Sequence, residues 1–300
     1  DAWTKARDEA VKGKKFFALQ PPRPPQSPLK GQHRPGNLYS GCLHPVIGYG
    51  IKGAIWYQGE SNAAAAFEYS YLFPLMIEHW RSEWKQGDFP FYWVQLADFK
   101  AEQRDPVESD WAELRESQTK TQSVIKNGGQ AVIIDVGEAK DIHPKNKRDV
   151  AERLVRWALA KDYGIKLPYH SPEFKAADFS GNKATVTLDT FGSSLQTFDV
   201  AEARGFAICG EDRKWTWADA KVVGSDKVEV TSKTVAKPIA VRYAWADNPV
   251  CNLYSKEWLP VTPFRSDSFP MITDPKTPKP APVAKTLPVP TAKPTPPAAK

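Results

Sequence analysis

An α/β domain with a parallel sheet covered on both faces, followed by a small all-β domain, is the fold class that the sequence predicts. Three observations carry it. The strands of the first half are continuous apolar runs without alternation, each is followed by an apolar stripe at helical spacing, and after about residue 170 the period drops to two. The expected limits are 1–168 for the α/β domain, 169–269 for a β-sandwich-like domain, and 270–300 for a tail.

The opening DAWTKARDEAVKGKK reads as the middle of an amphipathic helix, so further sequence is expected upstream of it. Residues 20–36, QPPRPPQSPLKGQHRPG, form a basic, proline-rich surface excursion inserted into the first domain. GAIWYQ is the first buried strand. Phe67, Tyr71, Leu72, Leu75, Met76, Trp80 and Trp84 then recur on one helical stripe, where Pro74 is expected to kink the helix or mark its first turn. FYWVQLA (91–97) is the second strand, and Trp111, Leu114, Gln118, Thr121 and Ile125 mark the next helix. QAVIID (130–135) is the third strand. Pro144 stands where a first helical residue is tolerated, Val150, Leu154, Val155, Ala158 and Tyr163 make the apolar face, and Gly164 supplies the stop. ATVTLD, RGFAICG, WTWADA, KVEVTS and IAVRYAWA are short strands separated by turn residues. From Pro270 onward, proline, lysine, alanine and threonine offer too few apolar anchors to offset ordering entropy, and a disordered tail is expected.

Composition excludes several classes of function. The formal charge is +6, but residues 271–300 alone contribute +4, which leaves the body at +2, and no dense basic patch is interleaved with aromatics. A nucleic-acid partner is therefore not expected. Cys42, Cys209 and Cys251 lie far apart, with no spacing that suggests a zinc site or a disulfide framework. No apolar run approaches the ~18 residues of a membrane span, and the opening residues carry no signal-peptide core.

In an open parallel sheet, ligands bind at the carboxyl ends of the strands. The unusual polar residues should therefore follow strands, and they do. Gln58, Gly59, Glu60, Ser61 and Asn62 follow the first, Asp98 the second, and GEAKDIHPKN the third. Of the five histidines, only His143 combines a strand-end loop, a nearby carboxylate and a following helix. It is the candidate general base, with Asp141 accepting from one ring nitrogen and fixing the tautomer. Asp135 and Glu138 are rival partners, and Asp141 could instead cap the helix expected at Pro144.

GESNA places Ser61 in a near match to the GxSxG nucleophile elbow, between a strand and a helix. The fifth position is Ala63, however, where the crowded turn favours glycine. The order Ser61, Asp141, His143 would also place acid and base in one loop. The alternative role of this block is electrostatic: the amides of Gln58 or Asn62 and the backbone at Gly59 donate to a developing oxyanion, at roughly 3 kcal/mol per donor. Glu60 would then hold the loop in place.

WYQGESN, FPLMIEHWRSEWKQGDFPFYWVQLA, DIHPKN, GFAICGEDRKWTWADAK and VRYAWADNPVCNLY, in this order across residues 37–265, resemble the sialate O-acetylesterase family of the SGNH hydrolases. The resemblance implies an SGNH-like three-layer α/β/α sheet, incomplete at its amino-terminal side, and a carbohydrate O-acetylesterase activity. It implies His143 as base and Gln58, Gly59, Glu60 and Asn62 as oxyanion and substrate-site residues. Many SGNH enzymes carry the acid three residues before the histidine. Lys140 stands there in this sequence, and the aspartate is Asp141. The family's serine lies in a GQSN-like block, and neither that block nor a GDS-like one occurs in these 300 residues. The expectation is thus a carboxyl-terminal portion, inactive without its serine, that removes O-acetyl groups from sialic acid or another acetylated glycan. No metal or organic cofactor is expected, and a periplasmic or extracellular location is what the family suggests. Two other readings stand beside it. One is a carbohydrate-binding module using Trp56, Tyr57, Trp215, Trp217, Trp245 and Trp258 as sugar platforms, and the other a self-sufficient hydrolase using Ser61.

Overall fold

The computed structural model describes residues 2–14 and 34–278. These fall into two compact units, residues 1–50 and 51–300. The first holds helix α1 (Ala2–Lys12) and a short helical stretch from Tyr39 to Val46. Most of the proline-rich segment 20–36 lies outside the described residues, as do residues 279–300 of the expected tail.

The second unit begins with the expected alternation: β1 (Ala54–Trp56), α2 (Ala66–Trp84), β2 (Phe91–Val94), α3 (Asp110–Val124), β3 (Gly128–Ala131) and α4 (Lys147–Lys161). The three strands form a parallel sheet in the order β1-β2-β3, with Trp56 opposite Trp93 and Val94 opposite Ala131. Central strand β2 shows why the sequence does not alternate. Phe91 and Trp93 face the α2 side, where Phe73 packs edge-on against Trp93 at 5.4 Å. Tyr92 and Val94 face the other way and share a core with Val150, Leu154 and Trp157 of α4. Both faces are covered, so every residue of the strand is apolar. Among the described residues strand β1 pairs only with β2, and Ile55 on it is 73% exposed, so the first strand is an edge strand and not the buried one expected.

Several local expectations are corrected: on α2 the buried apolar face is Tyr69, Phe73, Ile77 and Trp84, while Tyr71, Leu72 and Leu75 of the expected stripe are exposed. Of the two alternatives for Pro74, the structure takes the interior of α2 rather than its first turn, and the proline has no N–H to give the carbonyl of Ser70. The third strand pairs at Gly128–Ala131 instead of over 130–135. Glycine is required within it, because a Cβ on Gly129 would stand 2.3 Å from the Trp157 ring that crosses the strand there. Helix α4 starts at Lys147, capped by Asn146, whose side chain accepts from the Asp149 N–H. Pro144 precedes it, and Asp141 does not cap it.

The remaining strands are β4 (Glu173–Ser180), β5 (Lys183–Asp189), β6 (Leu195–Thr197), β7 (Phe206–Cys209), β8 (Thr216–Trp217), β9 (Asp219–Val223), β10 (Lys227–Thr231), β11 (Ala240–Tyr243), β12 (Leu253–Ser255) and β13 (Phe264–Arg265). They build two four-stranded antiparallel sheets, β4-β5-β10-β9 and β13-β11-β7-β8, plus the pair β12-β6. The period of two appears as Ala184, Val186 and Leu188 pointing inward from β5, opposite Val228 and Val230 of β10. Val132 and Ile134 from the α/β part join the same core. Arg115 of α3 fastens the junction. Its fully buried guanidinium donates to the carbonyls of Leu96, Ala97, Ala246 and Asp247 at 2.6–3.0 Å.

The chain after residue 269 is more anchored than its composition implies. The buried Glu113 carboxylate accepts the backbone N–H groups of Ile272 and Thr273 and the Thr273 hydroxyl, at 2.6–3.0 Å, and Met271 is buried. The expected tail boundary at 270 therefore moves past Thr273.

Candidate active site

The two polar loops expected to meet do so. A cleft of about 470 Å³ is lined by Tyr57, Gln58, Glu60 and Ser61 after β1 and by Ile142, His143, Pro144 and Lys147 from the loop after β3 and the start of α4.

The first loop is held from behind. Gly59 has φ +153° and is buried, and a Cβ there would stand 3.1 Å from both Gln118 Nε2 and Leu114 Cδ2. Gln118, buried in α3, donates to the Gln58 carbonyl at 3.2 Å and accepts the Leu96 N–H at 2.9 Å, which ties the loop to the end of β2. The Gln58 amide is fixed at both ends: Tyr69 donates to its Oε1 at 3.2 Å, and its Nε2 donates to Asn62 Oδ1 at 2.7 Å. One Nε2 hydrogen of Gln58 remains for a ligand oxygen. Of the expected oxyanion group, Gln58 and Glu60 line the cleft, whereas Gly59 and Asn62 stand behind it and set the position of Gln58. Burial, and then the charge of Glu60, pushes the Tyr57 and Tyr69 hydroxyls up to about 12, so both stay protonated donors at neutral pH.

The second loop is shaped by carboxylates. Asp98, which follows β2 and is expected on the same rim, does not line the cleft; it accepts the Gly137 N–H at 2.7 Å, and burial raises its pKa. Gly137 approaches so closely that a Cβ would lie 1.9 Å from the Asp98 carbonyl oxygen. Asp135 is engaged by Arg153 in a two-point pair at 2.6 and 2.8 Å and by the Tyr254 hydroxyl at 3.3 Å. Glu138 accepts from the backbone and the ammonium of Lys145, which lowers its pKa. Both rivals of Asp141 are thus occupied elsewhere. Asp141 Oδ1 accepts the backbone N–H of His143 at 3.0 Å and lies 3.7 Å from His143 Nδ1. The imidazole itself is open to solvent, with the side chain 85% exposed.

Ser61 lies in the 3₁₀ turn Glu60–Ala65, not at a sharp strand-to-helix corner, and is exposed. It lines the same cleft as His143, yet no hydrogen bond joins the two among the described residues. The sequence reading missed Lys147. Its ammonium stands 4.6 Å from the centre of the Tyr57 ring and adds a cation to the cleft. The signal was its place four residues after His143, at the start of α4.

Two family models match, one described as carbohydrate esterase, sialic acid-specific acetylesterase, over residues 33–143, and one as the sialate O-acetylesterase C-terminal domain, over 176–268. The first takes in the loop after β1 and ends on His143, short of Pro144 and Lys147; the second covers most of the β module. The chain belongs to the sialate O-acetylesterase family. Sialate O-acetylesterase of Mus musculus is 30% identical over 267 residues, 80% of this chain and 49% of that protein. The Homo sapiens protein is 29% identical over 271 residues, 80% of this chain and 50% of that one. A crystal structure of a carbohydrate acetylesterase from Xanthomonas citri is 46% identical with a TM-score of 0.73, covering 77% of this chain and 54% of its own. The chain therefore spans about half the length of the curated sialate O-acetylesterases it matches. No helix among the described residues is long and apolar enough to cross a membrane.

Proposed function

We propose that this chain carries the base and the oxyanion side of a serine-dependent carbohydrate O-acetylesterase that acts on acetylated sialic acid or another acetylated glycan. The observation that carries the reading is the single cleft in which Gln58 and Glu60 face His143, on a chain of the sialate O-acetylesterase family. His143 is the general base, Asp141 positions it, and Gln58, placed by Asn62, Tyr69 and Gly59, donates to the oxyanion. Glu60 lines the cleft beside Gln58, and its charge adds to the burial that keeps the Tyr57 and Tyr69 hydroxyls protonated.

The nucleophile is a serine other than Ser61. These 300 residues contain no GQSN-like or GDS-like block, and Ser61 makes no bond to His143. In the complete enzyme His143 takes the serine proton as the serine oxygen adds to the acetyl carbonyl carbon. The resulting oxyanion is met by Gln58 Nε2. When the sugar C–O–acetyl linkage breaks, the imidazolium returns the proton to the sugar oxygen and leaves an acetyl-serine. Water, deprotonated by the same histidine, attacks the acetyl carbon, and acetate departs as the serine is reprotonated. This scheme assigns no step to a metal or organic cofactor. A periplasmic or extracellular location is what the family suggests for it.

The test is acetate release from an O-acetylated sugar by the protein with its upstream sequence in place. His143→Ala should abolish release. Release at the unsubstituted rate would remove His143 from the mechanism.

A further inference from the structure

A second cavity, of about 500 Å³, lies in the β module, where the loop after β2 reaches it. Its apolar floor includes Phe206 and Ala246, and its rim carries Gln103, Glu202, Arg204, Trp217, Asp219 and Asn248. Trp217 is 36% exposed, and its indole N–H is already spent on the Arg104 carbonyl at 2.8 Å. That bond pins the ring to the loop, so what it offers a ligand is its face. The side chains of Glu202, Arg204 and Asp219 are exposed and form no hydrogen bond or ion pair with another described residue. The sequence singled out Trp217 as a sugar platform, and the cleft around His143 does not use it.

We infer that this cavity is a glycan subsite that holds one neutral pyranose unit, stacked on Trp217 and hydrogen-bonded through its hydroxyls to Asp219, Glu202 and Arg204. An aromatic face beside unspent carboxylates and a guanidinium suits a ring that is apolar on its C–H face and ringed by hydroxyls. The charges select among sugars. Two carboxylates against one guanidinium disfavour an anionic sugar, so the unit bound here differs in charge from sialic acid. The choice of a sugar over other neutral polar ligands rests on the carbohydrate-esterase reading, while the test uses unacetylated oligosaccharides and reads no hydrolysis, so the two can fail separately.

The test is titration of the full 300-residue chain with xylotetraose, cellotetraose and mannotetraose, followed by tryptophan fluorescence and calorimetry, with N-acetylneuraminic acid as the anionic comparison. At least one neutral tetrasaccharide should bind saturably and more tightly than N-acetylneuraminic acid. Trp217→Ala should weaken that binding about tenfold or more, the loss of one stacking contact. Asp219→Ala, an exposed and unbonded position, should weaken it as well with the melting temperature unchanged, which separates lost contacts from lost folding. Saturable binding of none of the three, equal affinity in both variants, or tighter binding of N-acetylneuraminic acid would each overturn the inference.

Discussion

Asp141 and His143 are joined through the backbone before they are joined through the ring: the Asp141 Oδ1 that accepts the His143 N–H at 3.0 Å stands 3.7 Å from His143 Nδ1. The carboxylate fixes the turn that presents the imidazole and is poised to receive its Nδ1–H after a small side-chain rotation. Asp141→Asn keeps an acceptor for the backbone and loses the charge. In the complete enzyme it should lower kcat roughly 10- to 100-fold with KM little changed, the low end of positioned acid–base catalysis. A kcat equal to that of the unsubstituted enzyme would leave Asp141 a turn residue only.

Asp98 gives a stability prediction whose sign follows from its burial. Its pKa is raised in the folded state, so its contribution is fully present below the unfolded carboxylate pKa and is lost as pH rises through the folded value. Asp98→Asn retains an oxygen for the Gly137 N–H and removes the buried charge. The melting temperature of the variant minus that of the unsubstituted chain should therefore increase from about pH 3.5 to pH 7. A difference that stays flat or decreases over this range contradicts the assignment.

Gly59→Ala tests how the loop places Gln58. The added Cβ meets Gln118 Nε2 and Leu114 Cδ2 at 3.1 Å in a backbone conformation that L residues rarely adopt. Unfolding free energy should fall by roughly 1–3 kcal/mol, measured by urea titration. Acetate release by the complete enzyme should fall beyond what the unfolded fraction explains, because Gln58 moves with the loop.

Arg115 makes the sharpest prediction for the junction between the sheet and the β module. Burial pushes its pKa down to about 10, so it stays charged at neutral pH while bonding four carbonyls. Arg115→Met would remove the guanidinium from the Leu96 and Ala246 carbonyls, while Ala97 keeps the Trp111 indole N–H and Asp247 the Phe99 N–H, and should cost roughly 3–5 kcal/mol. A loss under about 1 kcal/mol, the worth of one ordinary hydrogen bond, would show that the junction is held by apolar packing instead.

Much of this was legible in the sequence, for identifiable reasons. The β2 run FYWV is apolar at every position because both faces are covered, and β5 alternates because one face is not. The meeting of the QGES and IHP loops followed from strand order alone. What could not be read depended on partners distant in the chain. Gly128 and Gly129 resemble a turn until Trp93 and Trp157 are seen to cross them. Met271–Thr273 looks like the start of a tail until Glu113, far away on α3, is found taking its N–H groups. The division of labour between Gln58, which lines the cleft, and Asn62, which orients it, rests on a 2.7 Å contact that no spacing reveals.

The central claim is that the QGES block serves a serine that is not Ser61. It is tested most directly by labelling the protein, with its upstream sequence, with a fluorophosphonate and mapping the modified serine by mass spectrometry. The account predicts a label outside residues 1–300 that persists in Ser61→Ala and is lost in His143→Ala. A label on Ser61, lost in Ser61→Ala, would contradict it.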